Sequence, residues 1–307
     1  MSPFVSGPVT VVTPASSANL GPGYDALGLG LGLYDEVTAE VIGDAGLEVT
    51  VEGVGADDVP RDESHLVVRS LRAVLDEVGV AQPGLRVHCV NRIPHARGLG
   101  SSSAAIVGGI SAARALLAGG SDTVQPLGAA PFDDARALEL ATRIEGHPDN
   151  VAAALLGGLT IAWADGELTR AVRLDVRASV VVFVPPEGVS TEVARGLLPD
   201  QVPYADAARN AGRAALLVAA LDGRPELLLD ATEDALHQAY RAPAMPASYA
   251  LVQQLRADGV PAIISGAGPT VLAFATDAYD AAPLVGRAPE GWAVLPLDID
   301  PRGARRA

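Results

Sequence analysis

The sequence contains no lysine: all 22 of its basic residues are arginine. A Schiff-base lysine, a lysine nucleophile and the lysine of a Walker-type phosphate loop are therefore excluded. The single cysteine, Cys89, excludes an intramolecular disulfide. The chain also lacks an apolar run of roughly 18 residues, so we expect no membrane span. Its N-terminal stretch MSPFVSGPVTVV has no basic segment, which argues against a signal peptide, and we expect a cytoplasmic protein.

Aromatic residues make up only 4% of the chain, against 49% hydrophobic residues in total, so any core is built from Ala, Val and Leu. The formal net charge of −15 argues against sequence-independent nucleic-acid binding, which needs a basic surface to displace counterions. A nucleotide needs only a local site, so this charge does not exclude one. The 307 residues suffice for two domains.

The hydrophobic pattern changes between strand and helix spacing along the whole chain. It predicts strands at residues 9–13, 27–42, 47–53, 85–93, 179–186 and 292–297, and a strand–glycine loop–strand unit at 262–275. It predicts helices at 65–78, 103–118, 133–145, 191–197, 205–221, 225–240 and 247–258. Polar ADGELTR interrupts the pattern, and we divide the chain there into residues 1–168 and 169–307. The irregular mixture of elements predicts an α+β fold in both domains.

The stretch PHARGLGSSSAA, Pro94–Ala105, has the composition of a phosphate-holding loop. Gly98 and Gly100 permit backbone angles that are closed to other residues. Three serines then begin an apolar helix, whose N-terminal amides carry a partial positive charge and can hold a di- or triphosphate without lysine. A serine hydroxyl can also ligate magnesium. Taken alone, the pattern fits equally well with serines that cap a buried helix.

Two further stretches of the first half place polar side chains next to glycines. In TPASSANLGPGYDALGLGL, Asp25 can bind an ammonium group and Asn19 a hydroxyl or carboxylate, although a turn and a helix cap explain both residues as well. In RIEGHPDN, Glu145 ends a helix, where a carboxylate is unfavourable by about 0.3–1 kcal/mol unless a cation reverses the sign. Asp149 and Asn150 open the next short helix.

The second half contains three weaker signals. STEVARGLLP places Arg195 on a helix capped by Ser190, and YRAPAMP contains Arg241. ISGAGPT joins two apolar strands through Gly266 and Gly268. Surface arginines and a hairpin turn explain these residues equally well when each is taken singly. The sequence has neither a GxSxG elbow nor an HExxH pair, so nothing supports a hydrolase.

Taken together, the order and spacing of these stretches resemble the GHMP small-molecule kinases, from about Val9 to Leu297. PHARGLGSSSAA is similar to that family's second motif and ISGAGPT to its third. The remaining stretches are most similar to members that phosphorylate homoserine. The resemblance implies an N-terminal domain like domain 2 of ribosomal protein S5, a C-terminal ferredoxin-like domain, and ATP with Mg²⁺ bound between them.

The resemblance also implies a role for each motif residue. Mg²⁺ would be ligated by Ser102 and by Glu145, for which Glu139 is the alternative. Asp25 would bind the ammonium group of L-homoserine, and Arg195 with Arg241 its carboxylate. The ATP-binding stretch would comprise Pro94, His95, Ala96, Arg97, Gly98, Leu99, Gly100, Ser101, Ser102, Ser103 and Ala104. The substrate contacts would be Asn19, Asp25, Asn150, Arg195, Arg241 and Gly268, with Asn150 and Asp149 as the catalytic candidates.

The implied reaction is direct transfer of the γ-phosphoryl group of ATP to the L-homoserine hydroxyl, giving O-phospho-L-homoserine on the way to threonine. Such a transfer depends mostly on positioning and charge neutralisation, so Asn150 would orient the hydroxyl and a base role for Asp149 is optional. Two alternatives stay open: a GHMP kinase for a sugar or an isoprenoid alcohol, and a non-catalytic sensor. A homodimer would be typical of such kinases.

Overall fold

Two β-sheets organise the chain in the computed structural model, which describes residues 3–43, 45–117, 132–166, 168–176, 178–275 and 282–307. The first sheet contains β1 (Val9–Ala18), β2 (Leu27–Gly43), β3 (Leu47–Gly53), β4 (Gly84–Asn91), β5 (Leu159–Asp165), β6 (Leu168–Leu174) and β11 (Arg305–Arg306). Its main path runs β11-β1-β2-β4-β3, and only β3 and β4 are parallel. β5 pairs with the start of β2, and β6 with β5.

Four helices pack against the first sheet. They are α1 (Leu66–Glu77), α2 (Ser101–Leu117), α3 (Asp134–Glu145) and α4 (Asp149–Leu156). α2 is buried over nearly all of its surface, as expected of a helix that is apolar on every side. The predicted end of this helix at Ala118 lies outside the described residues. α1, α2 and α3 share one core cluster with β1, β2, β3 and β4.

The second sheet has four antiparallel strands. They are β7 (Ser179–Val184), β8 (Ala262–Ile264), β9 (Val271–Ala275) and β10 (Ala293–Asp298), in the order β10-β7-β9-β8. The order fourth–first–third–second is that of the predicted ferredoxin-like domain. Its helices are α5 (Thr191–Gly196), α6 (Tyr204–Leu221), α7 (Leu228–Ala231), α8 (Gln238–Arg241), α9 (Pro246–Ala257) and α10 (Ala282–Val285).

The chain passes from the first sheet to the second after β6, and the predicted domain division after residue 168 stays a prediction. β6 lies beyond that position and stays paired with β5 along its whole length, so the crossing falls between Leu174 and Ser179. Polar ADGELTR is the turn region of this hairpin, because one face of the two strands is open to solvent. The two sheets share a core, in which Leu29 and Leu31 belong to the same cluster as Val180 and Phe274.

The helix predicted over residues 225–240 is wrong. A 3₁₀ turn at Pro225–Leu227 leads into α7, and the chain is irregular before α8. The Asp234 carboxylate accepts hydrogen bonds from the backbone N–H groups of Leu236, His237 and Gln238, at 2.8, 3.2 and 2.7 Å. A side chain that satisfies backbone donors in this way competes with the helical hydrogen bonds and interrupts the helix.

The other predicted helices and strands are confirmed, with shifts at their ends. The largest extension is β1, which continues five residues past Thr13 to Ala18. Its register shifts between Pro14 and Ala15, where proline supplies no N–H to the ladder. Within the described part of the chain, every helix is too short or too polar to cross a membrane.

Gly109 sets the distance between α1 and α2, and we expect Gly109→Ala to destabilise the protein. An added Cβ would lie 2.3 Å from the Val67 carbonyl oxygen, which belongs to helical backbone. Overpacking of this kind costs about 1–3 kcal/mol and outweighs the gain of about 1 kcal/mol in helix propensity. Urea unfolding followed by circular dichroism should show a lower midpoint.

Gly212→Ala in α6 is the matched control, because no atom lies within 4 Å of its added Cβ. At Gly212 the substitution only increases helix propensity, so the urea midpoint of unfolding should rise. Equal effects of the two substitutions would show that Gly109 does not limit helix packing.

Candidate active site

Loops from both sheets meet at a cleft of about 610 Å³. Its walls include the segment after β1, the loop before α2 and the α3–α4 turn on one side, and α5, α8 and the β8–β9 loop on the other. The lining residues are Asn19, Ala96, Arg97, Gly98, Gly100, Ser101, Ser102, Glu145, His147, Asp149, Asn150, Thr191, Arg195, Arg241, Gly266 and Ala267. Most of the predicted site residues are therefore brought together. The predicted residues outside this lining are Asp25, Gly268, Pro94, His95, Leu99, Ser103 and Ala104.

The loop before α2 is held in a tight conformation. Ala96, Gly98 and Gly100 have φ of +51°, +74° and +69°, in the left-handed region that favours glycine. α2 follows with no acidic residue in its first turn, so nothing on the helix offsets the positive end of its dipole. The arrangement suits an anionic group such as a phosphate.

This loop is fastened to the β8–β9 loop of the second sheet. Ser265 Oγ donates to the Gly98 carbonyl oxygen at 2.6 Å, and the Thr270 N–H donates to the Arg97 carbonyl oxygen at 3.2 Å. A Cβ at Gly98 would lie only 2.2 Å from the Ser265 carbonyl oxygen. Two of the motif loops thus touch backbone to backbone, which only a residue without a side chain permits.

Glu145 lies against the first turn of α2. Its two carboxylate oxygens accept hydrogen bonds from Ser102 Oγ at 2.7 Å and from Ser103 Oγ at 2.8 Å. α3 ends here because Gly146 takes a left-handed conformation, with φ of +94°. Glu139, the alternative carboxylate, lies within α3 and is not part of the cleft lining.

One carboxylate and one hydroxyl at the phosphate loop fit Mg²⁺. This ion is usually held by one or two carboxylates together with substrate phosphates and water. No group of three or more His, Cys, Asp or Glu side chains suited to a metal ion occurs among the described residues. The assignment of Ser102 and Glu145 as ligands stays a prediction.

Asp25 and Arg195, the predicted ammonium and carboxylate contacts, bind each other. The guanidinium donates to both carboxylate oxygens, at 2.7 and 3.1 Å, and Arg195 Nη1 also donates to the Tyr24 hydroxyl at 2.9 Å. The Arg241 guanidinium carbon lies 5.3 Å from the centre of the Tyr24 ring. Burial and the Asp25 charge raise the pKa of Tyr24. Opposite charges are therefore already paired at the mouth of the cleft.

Asn19 stabilises the conformation of the loop that contains Asp25. It is 4% exposed and has φ of +66°. Its Nδ2 donates to the Gly266 carbonyl oxygen at 2.9 Å, while its Oδ1 accepts the Asp25 N–H at 2.9 Å. Both ends of its amide are thus occupied, and the side chain ties the Asp25 loop to the β8–β9 loop.

The start of α4 presents a polar cluster that the sequence analysis recognised only in part. Asn150 Oδ1 accepts a hydrogen bond from Ser16 Oγ at 2.9 Å. Asp149 is 1% exposed, and its Oδ1 accepts the Asn150 N–H and the ring N–H at Nδ1 of His147, both at 2.8 Å. We did not predict a role for His147. Its position two residues before Asp149 in EGHPDN was the available signal.

A second cavity of about 730 Å³ begins at Ser101 and Ser102, on the other side of the α2 start. Its walls combine apolar side chains, including Val59, Leu66 and Val67, with polar ones. Asp35 lies in this wall and accepts the N–H groups of Arg92 and Ile93 at 2.6 and 2.9 Å. Burial nevertheless raises the pKa of Asp35, because it outweighs these two hydrogen bonds.

Two family profiles match the chain in separate segments. The profile of the GHMP kinases N-terminal domain matches residues 65–158, which include the phosphate loop, Glu145 and Asn150. The profile of the GHMP kinases C-terminal domain matches residues 213–293. This chain belongs to the GHMP kinases.

Among GHMP kinases, the similarity to homoserine kinases spans the whole length of the chain. The homoserine kinase of Streptomyces avermitilis is 60% identical over 98% of this chain and 96% of its own. That of Clavibacter michiganensis is 50% identical over 96% of this chain and 93% of its own.

Solved structures of GHMP-type enzymes share the fold. The homoserine kinase of Cytophaga hutchinsonii superposes with a TM-score of 0.80 at 26% identity, over 98% of this chain and 97% of that one. The mevalonate diphosphate decarboxylase of Staphylococcus aureus gives 0.66 at 14% identity, over 98% of both chains. The second likeness concerns the fold alone. The predicted two-domain α+β GHMP fold is confirmed.

For this GHMP kinase, Gly98→Ala should release the phosphate loop from the β8–β9 loop and lower nucleotide affinity by at least about tenfold. The added Cβ would clash with backbone at 2.2 Å, so one loop must move. Isothermal titration calorimetry with MgATP measures the change.

Gly79→Ala is the control, since its φ of +69° gives the same backbone strain with no atom within 4 Å of the added Cβ. It should lose about 1 kcal/mol of stability and bind nucleotide normally. Normal affinity in the Gly98 variant would show that the contact does not position the loop.

Proposed function

We propose that this GHMP kinase transfers the γ-phosphoryl group of ATP to the side-chain hydroxyl of L-homoserine. The observation that carries the proposal is the 60% identity to a homoserine kinase over nearly the entire chain. The products are ADP and O-phospho-L-homoserine, an intermediate on the way to threonine. A cytoplasmic location and a homodimer stay predictions.

The charges at the cleft mouth support an amino acid as the acceptor. L-Homoserine carries an ammonium group and a carboxylate, and an uncharged sugar carries neither. Asp25 offers a carboxylate for the first, and Arg195 a guanidinium that can bind the second with two hydrogen bonds. In the absence of substrate these side chains satisfy each other. A zwitterion replaces this pair with two pairs of the same kind.

Arg241 is a buried residue that would help to bind the carboxylate of L-homoserine. It is 1% exposed, and its Nε donates to the Ala194 carbonyl oxygen, one residue before Arg195, at 3.2 Å. Burial lowers the pKa of Arg241, yet an arginine keeps its charge in proteins. We assign to Arg241 both a long-range attraction for the carboxylate and the anchoring of α5.

Transfer needs the phosphoryl group and the hydroxyl to be held in line and the charge on the phosphates to be offset. The α2 amides and the 96–100 loop would hold the phosphates. Mg²⁺, when bound by Ser102 and Glu145, would offset their negative charge. Asn150, fixed by Ser16 at 2.9 Å, would orient the hydroxyl through its amide.

The second cavity gives the nucleoside a place next to the phosphates. It shares Ser101 and Ser102 with the main cleft, so one ligand can occupy both. Its apolar walls suit a flat base, and its polar groups suit the ribose and the ring edge. We therefore place the adenosine part of ATP in this cavity.

The proposal is tested by measuring ADP release from MgATP with L-homoserine, D-homoserine, L-serine, L-threonine, galactose and mevalonate. We expect turnover with L-homoserine to exceed that with every other acceptor by at least about 100-fold, because only L-homoserine matches both charges and the hydroxyl. Turnover with a sugar or mevalonate and none with L-homoserine would reject this substrate. ATP binding without any turnover would favour a sensor.

A pair of arginine variants checks the mode of substrate recognition. Arg195→Ala should raise the KM for L-homoserine by about 100-fold and leave the KM for ATP nearly unchanged, since one charge-assisted pair is lost. Arg86→Ala is the control, because Arg86 also binds carboxylates, Glu40 and Glu48, but on the exposed face of the first sheet. It should behave like the parent protein.

The Mg²⁺ dependence of activity distinguishes Glu145 from Glu139 as the candidate magnesium ligand. Glu145→Gln removes the charge and keeps one acceptor oxygen, so it can still accept from one of the two serines, Ser102 or Ser103. The Mg²⁺ concentration for half-maximal activity should rise at least about tenfold. Glu139→Gln on the same helix should leave it unchanged. The reverse pattern would make Glu139 the ligand.

A further inference from the structure

His237 is a fully buried histidine at the start of α8 to which the proposed function gives no role. The Asp234 carboxylate shapes the turn before α8, because it accepts three successive backbone N–H groups that include that of His237. Arg241 follows His237 by four residues, and its N–H donates to the His237 carbonyl oxygen at 3.0 Å. Residues four apart lie on the same face of a helix, so the two side chains meet.

The two ring nitrogens of His237 have different partners. Nε2 lies 2.8 Å from the Gly21 carbonyl oxygen, and Nδ1 lies 3.3 Å from Arg241 Nη1. A carbonyl oxygen only accepts hydrogen bonds and a guanidinium only donates them, so Nε2 carries the ring proton and Nδ1 accepts. These two contacts therefore define a neutral imidazole with its proton on Nε2.

The surroundings of His237 favour this neutral form. Burial lowers the pKa of His237, as does the charge of Arg241. Together they outweigh the charges of Asp234 and Asp25, which raise this pKa. An imidazolium would also have no lone pair for Arg241 Nη1 and would place two positive charges side by side. The Tyr24 ring, 5.4 Å from the imidazole between ring centres, covers the ring from the β1–β2 loop.

The contact with His237 is one of three hydrogen bonds that orient Arg241. Nε donates to the Ala194 carbonyl oxygen at 3.2 Å, and Nη1 donates to His237 Nδ1 at 3.3 Å and to the Gly266 carbonyl oxygen at 3.5 Å. A guanidinium has five N–H groups, so the two on Nη2 remain. In the described part of the chain Nη2 has no hydrogen-bond partner. Because Arg241 lines the cleft, Nη2 is the nitrogen through which it can attract a ligand carboxylate.

We propose that His237 is a positioning residue for substrate binding: its Nδ1 holds Arg241 Nη1 so that Nη2 stays directed at the substrate carboxylate, while the Gly21 carbonyl oxygen holds the ring. This role rests on the proposed function, since it requires a carboxylate on the acceptor. Gly21 belongs to the same loop as Asp25, the proposed ammonium contact. His237 therefore sets the position of the carboxylate site relative to the ammonium site.

Two conservative variants separate the two ring contacts. His237→Gln places an amide N–H near the position of Nε2 and has no acceptor at that of Nδ1, whereas His237→Asn keeps an acceptor at Nδ1 and does not reach Gly21. His237→Gln should raise the KM for L-homoserine about tenfold and leave the KM for MgATP within about twofold, because only the orientation of Arg241 is lost. His237→Asn should change both KM values by less than about threefold.

A double-mutant cycle tests whether the effect passes through Arg241. In an Arg241→Ala background, His237→Gln should cause no further rise in the KM for L-homoserine, because the group that it positions is already absent. His88→Gln is the control, since His88 contacts Thr50 on an exposed part of the first sheet. It should match the parent protein.

Nuclear magnetic resonance checks the ring contacts without nucleotide, substrate or turnover. The chain has five histidines, so the imidazole signals missing from the long-range ¹H–¹⁵N spectrum of His237→Gln identify His237. These signals should show a neutral ring with its proton on Nε2 at neutral pH. Because the pKa of His237 is lowered, the ring should become charged only below about pH 6.5.

Four results would overturn the proposal. They are a charged ring or a proton on Nδ1 at neutral pH, an unchanged KM for L-homoserine in folded His237→Gln, equal rises in both KM values, and a tenfold rise in the KM for L-homoserine of His237→Asn, which keeps the acceptor for Arg241. Absence of turnover by the parent protein with L-homoserine would instead reject the proposed function. Circular dichroism confirms folding, and His237→Asn supplies the signal assignment if His237→Gln does not fold.

Discussion

The contact between the phosphate loop and the β8–β9 loop is the constraint on which the site depends. The Ser265 hydroxyl donates to the Gly98 carbonyl oxygen across the two sheets, and the backbones of the same two residues lie in close contact. No side chain fits between them, so the positions of the two loops are fixed relative to each other. Together with the Asn19 and Arg195 contacts across the cleft, it sets the position of the α2 amides relative to the wall formed by α5 and α8.

The second organising feature is the way in which charge is balanced inside the site. Asp25 pairs with Arg195, Asp149 with His147, and Glu145 accepts from two serines. Each carboxylate of the cleft therefore has a donor before any ligand arrives. For Asp25 and Arg195, the proposed zwitterionic substrate would replace one ion pair with two pairs of the same chemical kind.

Local patterns predicted most of the elements. Alternation and helical spacing identified the two sheets and the helices that flank the cleft, because those segments bury one face. They failed at residues 225–240, where Asp234 satisfies three backbone donors and interrupts a segment with good helical composition. They gave no strand at β6, because it is half-exposed and its apolar signal is weak.

The motif residues of the site were predicted with less detail. Sequence order could identify Asp25 and Arg195, but their direct pairing depends on the fold that brings α5 to the β1–β2 loop. Tyr24 and His147 were missed because neither belongs to a pattern with a chemical meaning of its own. The Tyr24 ring lies against Arg241, which is distant in sequence, whereas His147 contacts Asp149 only two residues away.

The chain crosses between the sheets twice, and the second crossing has no linker. β10 ends at Asp298 in the second sheet, while Ile299 already bridges Leu31 of the first and the Asp300 N–H donates to Gly30. The first crossing, between Leu174 and Ser179, has only a short connection. Two such anchor points define an axis. A separation of the two sheets by translation would therefore break the strand pairing next to Asp298, whereas a rotation about the line that joins the two connections would not.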